Sequence, residues 1–231
     1  MPRIARILPE EGVLHILVRG NNRQWVFHNN QDFKYYLKLL KDYKEKHSFF
    51  LYHYCLMNNH VHLILEITPK TNLANLMKGL NLSYFNYYKR KYGYAGHFWQ
   101  GRFKSLLINK DKYLLACGLY IERNSVRAKM VERPEDYPYS ICNFYTLGKE
   151  NSLLTIDPLY EDLGRSDKER QENYKTLFFK DEEEIIKHKI ASGRFLDQES
   201  FLKKMEEKFK VDDIRQKKGR PSKEETKGGI K

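Results

Sequence analysis

Apolar residues along the first half of the chain change their period several times, and each change marks an element. Val13-Leu14-His15-Ile16-Leu17-Val18-Arg19 predicts a buried strand, ended by the turn-rich Gly20-Asn21-Asn22 and followed by a short apolar stretch, Trp25-Val26-Phe27. From Asp32 to about Lys46, Phe33, Tyr36, Leu37, Leu40 and Tyr43 recur at three- and four-residue spacing, which predicts an amphipathic helix. Phe49 to Met57 and His60 to Ile67 read as two strands around a Met57-Asn58-Asn59 corner, or as one bulged strand. Asn72 is a plausible cap for a second helix running to about Tyr92 and ended by Gly93, with Leu73, Leu76, Met77, Leu80, Tyr84 and Tyr88 on one face. A short strand over Arg102 to Ile108 and a third helix from Asp111 to about Asn124 complete the series. Strands and helices interleave without evenly repeated βαβ units, so the expected fold is a compact α+β sandwich with helices on a mainly antiparallel sheet.

After Pro134-Glu135-Asp136-Tyr137-Pro138 the chain becomes more polar and more helical, and residues 181–209 hold two short helical patterns separated by Ser192-Gly193. From Val211 onward Gly, Lys and Arg accumulate with little that could form a core, which predicts a basic tail. The expected organisation is a catalytic domain over 1–145, a helical extension over 146–210 and the tail over 211–231. A hydrophobic share of 41%, with 17 Tyr and 13 Phe, requires a packed core; 42 Lys and Arg against 30 Asp and Glu leave a net charge of +12, which suits a polyanion and nucleic acid most of all. No apolar run is long enough to span a membrane and the N-terminus lacks a signal peptide's apolar core, so a soluble cytoplasmic protein is expected. Cys55, Cys117 and Cys142 are odd in number and widely spaced, which predicts reduced thiols rather than disulfides or a cysteine metal site.

His60-Val61-His62 lies in an apolar run, and period-two geometry points both imidazoles to one sheet face. Two neutral imidazoles side by side are a metal-ligand pair, although an isolated pair is more often just two strand histidines. Because neutral imidazole is the ligand form, activity is expected to fall below about pH 6.5. Tyr120 and Asn124, four apart on the third helix, share a face and offer a nucleophile beside a third ligand. A phenol of pKa about 10 needs activation, but its phosphodiester is recoverable.

Arg19-Gly20-Asn21-Asn22-Arg23, then Tyr54 to His62 (YCLMNNHVH), then Gln100 to Ser105 (QGRFKS), then Tyr120 to Ala128 (YIERNSVRA) occur in that order. With these four blocks the chain resembles the REP-associated tyrosine transposases, a branch of the IS200-like Y1 transposases of the HUH superfamily, over roughly residues 1–145. The resemblance implies a ferredoxin-like fold, Mg²⁺ or Mn²⁺ as cofactor, and cleavage of hairpin-associated single-stranded DNA to a 5′-phosphotyrosyl intermediate, then rejoining. It also implies His60 and His62 as metal ligands, Asn124 in the variable third-ligand position and Tyr120 as nucleophile. The family often has Asn-Pro-Val-Arg where this chain has Asn124-Ser125-Val126-Arg127, so the helix end is expected to differ there. The branch implies a monomer, the wider family a homodimer. A domesticated DNA-binding regulator without cleavage, and a metal-dependent hydrolase using bound water, are the alternatives.

Candidate DNA contacts are Arg19, Asn21 and Arg23 around the first turn, and Arg102 and Lys104 at strand spacing. Lys89 and Arg90 lie in Tyr84 to Tyr92, which reads equally as a stacking and phosphate-binding surface or as an amphipathic helix with a solvated basic end. In the tail, Lys218 and Arg220 belong to Lys217-Lys218-Gly219-Arg220-Pro221, which is similar to an AT-hook core and also consistent with nonspecific affinity.

Overall fold

Strand β1 (Gly12–Arg19) lies between β3 (His60–Ile67) and β4 (Lys104–Ile108), with β2 (Phe50–Met57) outside β3, and all three pairings are antiparallel. The structure, a computed structural model, describes residues 9–178, 195 and 196. Together with α1 (Asn30–His47) and α2 (Leu73–Tyr92), the chain order βαββαβ and the spatial order β2-β3-β1-β4 make the expected ferredoxin-like sheet. A two-residue strand, β5 (Phe195–Leu196), joins β4 in parallel. The expected tail and most of the helical patterns at 181–209 lie outside the described residues.

Both long helices are capped as their sequences require. Asn29 accepts from Gln31 and Asp32 backbone N–H groups in a capping box with Asp32, and Asn72 accepts from the Asn75 N–H. Their apolar stripes cover one sheet face, where Leu14, Ile16, Val18, Leu63 and Leu65 pack with Phe33, Tyr36, Leu40, Leu76 and Leu80. The opposite face is covered by α3 (Lys110–Glu122), whose Leu114, Cys117 and Ile121 meet Val13, Ile64, Leu106 and Ile108. Trp25-Val26-Phe27 is not a strand. After β1 the chain makes a 3-10 turn over Asn21–Arg23, and the N–H groups of Val26 and Phe27 both bond Asn58 O, at 2.7 and 3.0 Å. All three cysteines are buried free thiols.

Within β2 the register slips between Leu51, opposite Leu65, and His53, opposite Ile64. This bulge turns Tyr52 and His53 toward the α3 face in succession, where strict alternation would have sent His53 to the other side. The His53 ring, fully buried, then lies between two carboxylates: Nδ1 is 2.8 Å from Glu122 Oε1 on α3 and Nε2 is 3.0 Å from Asp157 Oδ2. Asp157 also caps α6 (Pro158–Glu161), and Glu122 accepts from Tyr174 Oη at 3.0 Å on α7 (Asp167–Leu177). Tyr145 on α5 (Cys142–Leu147) stacks on Tyr174 with centroids 5.1 Å apart, so α5 runs across the expected boundary at 145 and packs with the extension beyond it. Gly118 is required where α3 passes the ring, because a Cβ there would meet His53 atoms at 2.4–2.6 Å.

Burial by itself would lower the His53 pKa, but its hydrogen bonds to Asp157 and Glu122 outweigh this and raise it to about 9. A raised folded-state value stabilises fully below the unfolded pKa of about 6.5, and that stabilisation is lost as pH rises through the folded value. Urea midpoints are therefore expected to be highest near pH 6 and to decline from about pH 7 to pH 9. In His53→Leu that part of the decline disappears and stability at pH 6 falls by about 3–5 kcal/mol, since two buried carboxylates lose their cation. Urea denaturation of both proteins across this range checks the assignment, and an unchanged pH profile in the variant would refute it.

Candidate functional site

His60 and His62 stand on the α3 face of the sheet, as their spacing predicts. Antiparallel partners share a face, so the register sets Lys104, Leu17, His62 and Cys55 in one row and Arg19, His60 and Met57 in the next. The two imidazole centroids are 4.9 Å apart at 76°. His60 Nδ1 is 2.5 Å from Asn59 Oδ1, and His62 Nδ1 is 2.7 Å from Nε2 of His15, a buried β1 residue whose ring is within 5° of coplanar with it. Burial and then the Arg19 charge lower the His60 pKa to about 4. For His62, burial acts first, then His60, His15, Arg19 and Arg127, holding its pKa well below the usual value. Both rings stay neutral well below the pH 6.5 expected from unperturbed histidine, so protons compete for these nitrogens only in stronger acid.

Tyr120 is half-buried on α3 and packs at the margin of the cluster beneath that helix. The expected helix to Asn124 stops earlier. α3 ends at Glu122, Arg123 bends (φ −65°, ψ −11°), and a single turn, α4 (Asn124–Arg127), follows. Side chains of the Asn124-Ser125-Val126-Arg127 block account for the break by taking the last carbonyls of α3. The Arg127 guanidinium donates to Tyr120 O, Asn124 Nδ2 to Ile121 O at 3.0 Å, and Ser125 Oγ to Glu122 O at 3.2 Å. The guanidinium carbon of Arg127 is also 4.2 Å from the centroid of the Tyr120 ring. The same charge contributes, last of five causes, to lowering the His62 pKa.

Three of the sequence blocks are sewn together by backbone bonds. Gly20 N–H donates to Asn59 O at 2.8 Å, Asn21 N–H to Phe98 O at 2.8 Å, and Gln100 N–H to Arg19 O at 2.8 Å, while Asn59 Nδ2 reaches Arg23 O. Asn22 and Arg23 both take left-handed backbone conformations, φ 49° and 59°, which are strained for a non-glycine residue and leave Arg23 exposed. Of the predicted DNA contacts, Arg19 lies beside His60 and Lys104 is exposed on the row of His62. Arg102 is exposed but precedes β4, so strand spacing does not place it with Lys104. Lys89 and Arg90 are exposed, whereas Tyr84 and Tyr88 belong to the core. Tyr87, Tyr92 and Lys91 are engaged by buried Asp32 on α1, so much of that segment fastens α2 to α1. Lys218 and Arg220 lie outside the described residues. Reading the sequence alone missed Arg127 and His15 as neighbours of the site: Arg127 stood in a quoted block, but His15 sits opposite Ile64 in the β1–β3 register and meets His62 diagonally, through its side chain.

Two neutral imidazoles 4.9 Å apart, each with Nδ1 already bonded, suit a shared divalent cation through their remaining nitrogens at bonds of about 2.1 Å. Asn124 spends its amide nitrogen on Ile121 O, 3.0 Å away. Among the described residues, no three His, Cys, Asp or Glu side chains come together to hold a metal ion. A cation here would complete its shell with an amide, water or substrate oxygen.

A family profile described as "Transposase IS200 like" matches residues 10–124. No curated protein sequence matches the chain. Among solved structures, a REP-associated tyrosine transposase bound to a REP hairpin superposes with a TM-score of 0.54 at 19% identity, over 68% of this chain and 90% of that one. A candidate transposase from Deinococcus radiodurans R1 aligns at 16% identity and a TM-score of 0.37, over 56% of this chain and 95% of that one. No helix among the described residues is long and apolar enough to cross a membrane.

The partition of the Tyr84 to Tyr92 segment has a direct test. Asp32→Ala strands Lys91, two tyrosine hydroxyls and two backbone N–H groups, and it should cost about 3 kcal/mol in chemical denaturation. Lys89→Ala and Arg90→Ala should change stability by less than about 0.5 kcal/mol. A neutral Asp32→Ala would show that this network does not hold the helices together.

Proposed function

We propose that this chain, which belongs to the IS200-like transposase family, cuts and rejoins single-stranded DNA through a covalent bond between Tyr120 and a 5′-phosphate. One observation carries the reading furthest: α3, bearing Tyr120, lies across the sheet face that bears His60 and His62, with the Arg127 guanidinium against the Tyr120 ring. Attack by the deprotonated Tyr120 Oη forms the new P–O bond while the P–O3′ bond breaks, and the departing 3′-oxygen takes up a proton as a hydroxyl. In the reverse sense, a 3′-hydroxyl attacks the phosphotyrosine and releases Tyr120, which conserves the bond energy for joining. Mg²⁺ or Mn²⁺ at His60 and His62, with Asn124 as third ligand, would supply Lewis-acid polarisation of the phosphate. Arg127 and Arg19 place positive charge beside the two reacting groups, and Lys104 extends it along the sheet for the neighbouring backbone phosphates.

The relative bound to a REP hairpin supports hairpin-forming single strands as the substrate class. The exposed Arg23 in the strained turn, with Asn21, Arg102, Lys89 and Arg90, is the proposed route for DNA away from the scissile bond. Residues 1–145 are the catalytic unit in this reading, 146–210 a helical extension, and 211–231 a basic arm in which Lys218 and Arg220 add affinity. The second reading, a DNA-binding regulator that does not cut, is disfavoured by the presence together of His60, His62 and Tyr120 on one face.

Tyr120→Phe is expected to abolish a covalent adduct with 3′-labelled hairpin DNA in Mn²⁺, seen by denaturing electrophoresis, while thermal stability changes little because the ring is kept. An adduct of wild-type yield in that variant would overturn the nucleophile. His60→Ala and His62→Ala should each lower cleavage at least about 100-fold while hairpin binding stays near wild type, since phosphate contacts remain. Wild-type cleavage in excess EDTA would contradict the metal role. Removing residues 211–231 should weaken hairpin binding and flatten its salt dependence without loss of cleavage at saturating DNA.

A further inference from the structure

We propose that His15 and Asn59 are positioning residues that hold His62 and His60 in one tautomer, with the proton on Nδ1 and the Nε2 lone pair presented as ligand. The inference rests on the reading of these two histidines as metal ligands. For His60 the direction of the bond follows from chemistry. Asn59 Oδ1 can only accept, so His60 Nδ1, 2.5 Å away, is the donor, and a neutral imidazole then has no proton on Nε2. The Asn59 amide is itself oriented by the donation of its Nδ2 to Arg23 O at 3.2 Å, so the turn built by Gly20 to Arg23 fixes the side chain that fixes His60.

For His62 the argument is geometric. The His15 and His62 rings are within 5° of coplanar, with centroids 5.0 Å apart and facing nitrogens 2.7 Å apart. The nitrogen separation plus the two ring radii accounts for the whole centroid distance, so the rings meet edge to edge in one plane and a single proton lies on the line between them. If His15 were the donor, His62 would carry its proton on Nε2. That nitrogen makes no hydrogen bond among the described residues, and the ring is only 5% exposed, so the proton would have no acceptor in the protein there. With His62 as donor, a bare lone pair occupies that place, and it is the same nitrogen that is bare on His60. His15 is 3% exposed on a strand otherwise apolar at that level, facing Ile64 and Leu106 across its two neighbours. A polar ring buried there counts His62 among its partners, and accepting a ligand histidine's second N–H is how such a group orients a metal site.

Metal-free protein with ¹⁵N-labelled histidine reports the tautomers directly through long-range ¹H–¹⁵N couplings. His60 and His62 are expected to be protonated on Nδ1, and a proton on His62 Nε2 would overturn the proposal for His15. Mn²⁺ titration followed by electron paramagnetic resonance then compares two substitutions. His15→Gln keeps an acceptor near the position of Nε2 and should hold affinity within about threefold, whereas His15→Leu should lose about 10- to 100-fold. Equal affinities in a His15→Leu variant of wild-type circular dichroism would refute the positioning role. Wild-type protein with both rings in the Nδ1–H tautomer but no Mn²⁺ binding would uphold the positioning while removing the metal reading beneath it.

Discussion

An imidazolium between two carboxylates, closed off from water, is the contact on which the active half of this molecule depends. Each of the three charges would be costly to bury alone, and they are tolerable only when all of them arrive together. His53 comes from the bulged edge strand, Glu122 from the end of α3 and Asp157 from the cap of α6. The bond from Tyr174 to the second oxygen of Glu122 brings in α7 as well. Helix α3 is therefore set by this ionic contact as much as by its apolar contacts with the sheet, and residues well beyond the family match at 10–124 help to place a helix inside it.

The opposite end of the sheet is arranged by hydrogen bonds of the backbone. Loops 20–27, 58–59 and 98–100 send Val26, Phe27 and Phe98 into the core, and their amides and carbonyls pair as a strand edge would. This accounts for the spacing of the polar blocks without assigning each residue a contact with substrate. Asn58 serves Val26 and Phe27 through its carbonyl, and Asn59 serves Gly20 through its own, before its side chain turns to His60.

Period and capping made most of the fold legible in the sequence. Both long helices, the Asn72 cap, the four antiparallel strands and the common face of His60 and His62 follow from local pattern. Two kinds of feature did not. The bulge at Tyr52 leaves no mark on an apolar run that fits either register, and it alone decides that His53 faces α3. Contacts across the sheet, such as His15 with His62, and contacts with the extension, such as His53 with Asp157, join positions 47 and 104 residues apart, and no periodicity encodes them. The end of α3 was misplaced because propensity continues through Arg123, whereas three side chains claim the carbonyls that a longer helix would have used. The aromatic and basic stretch of α2, which reads equally two ways in sequence, closes Tyr87, Lys91 and Tyr92 on a single buried aspartate.

Gly118 lets α3 pass close against the His53 ring and Glu122 ties it there, one on each side of Tyr120. A helix gripped at both positions has no freedom to swing or slide at residue 120 without first breaking a buried ion pair. A DNA end joined to that tyrosine would remain where it was cut, like a boat tied at a fixed mooring, and the strand to be joined would have to travel to it. Under the proposed reaction the nucleic acid would do the travelling, with the protein as its dock.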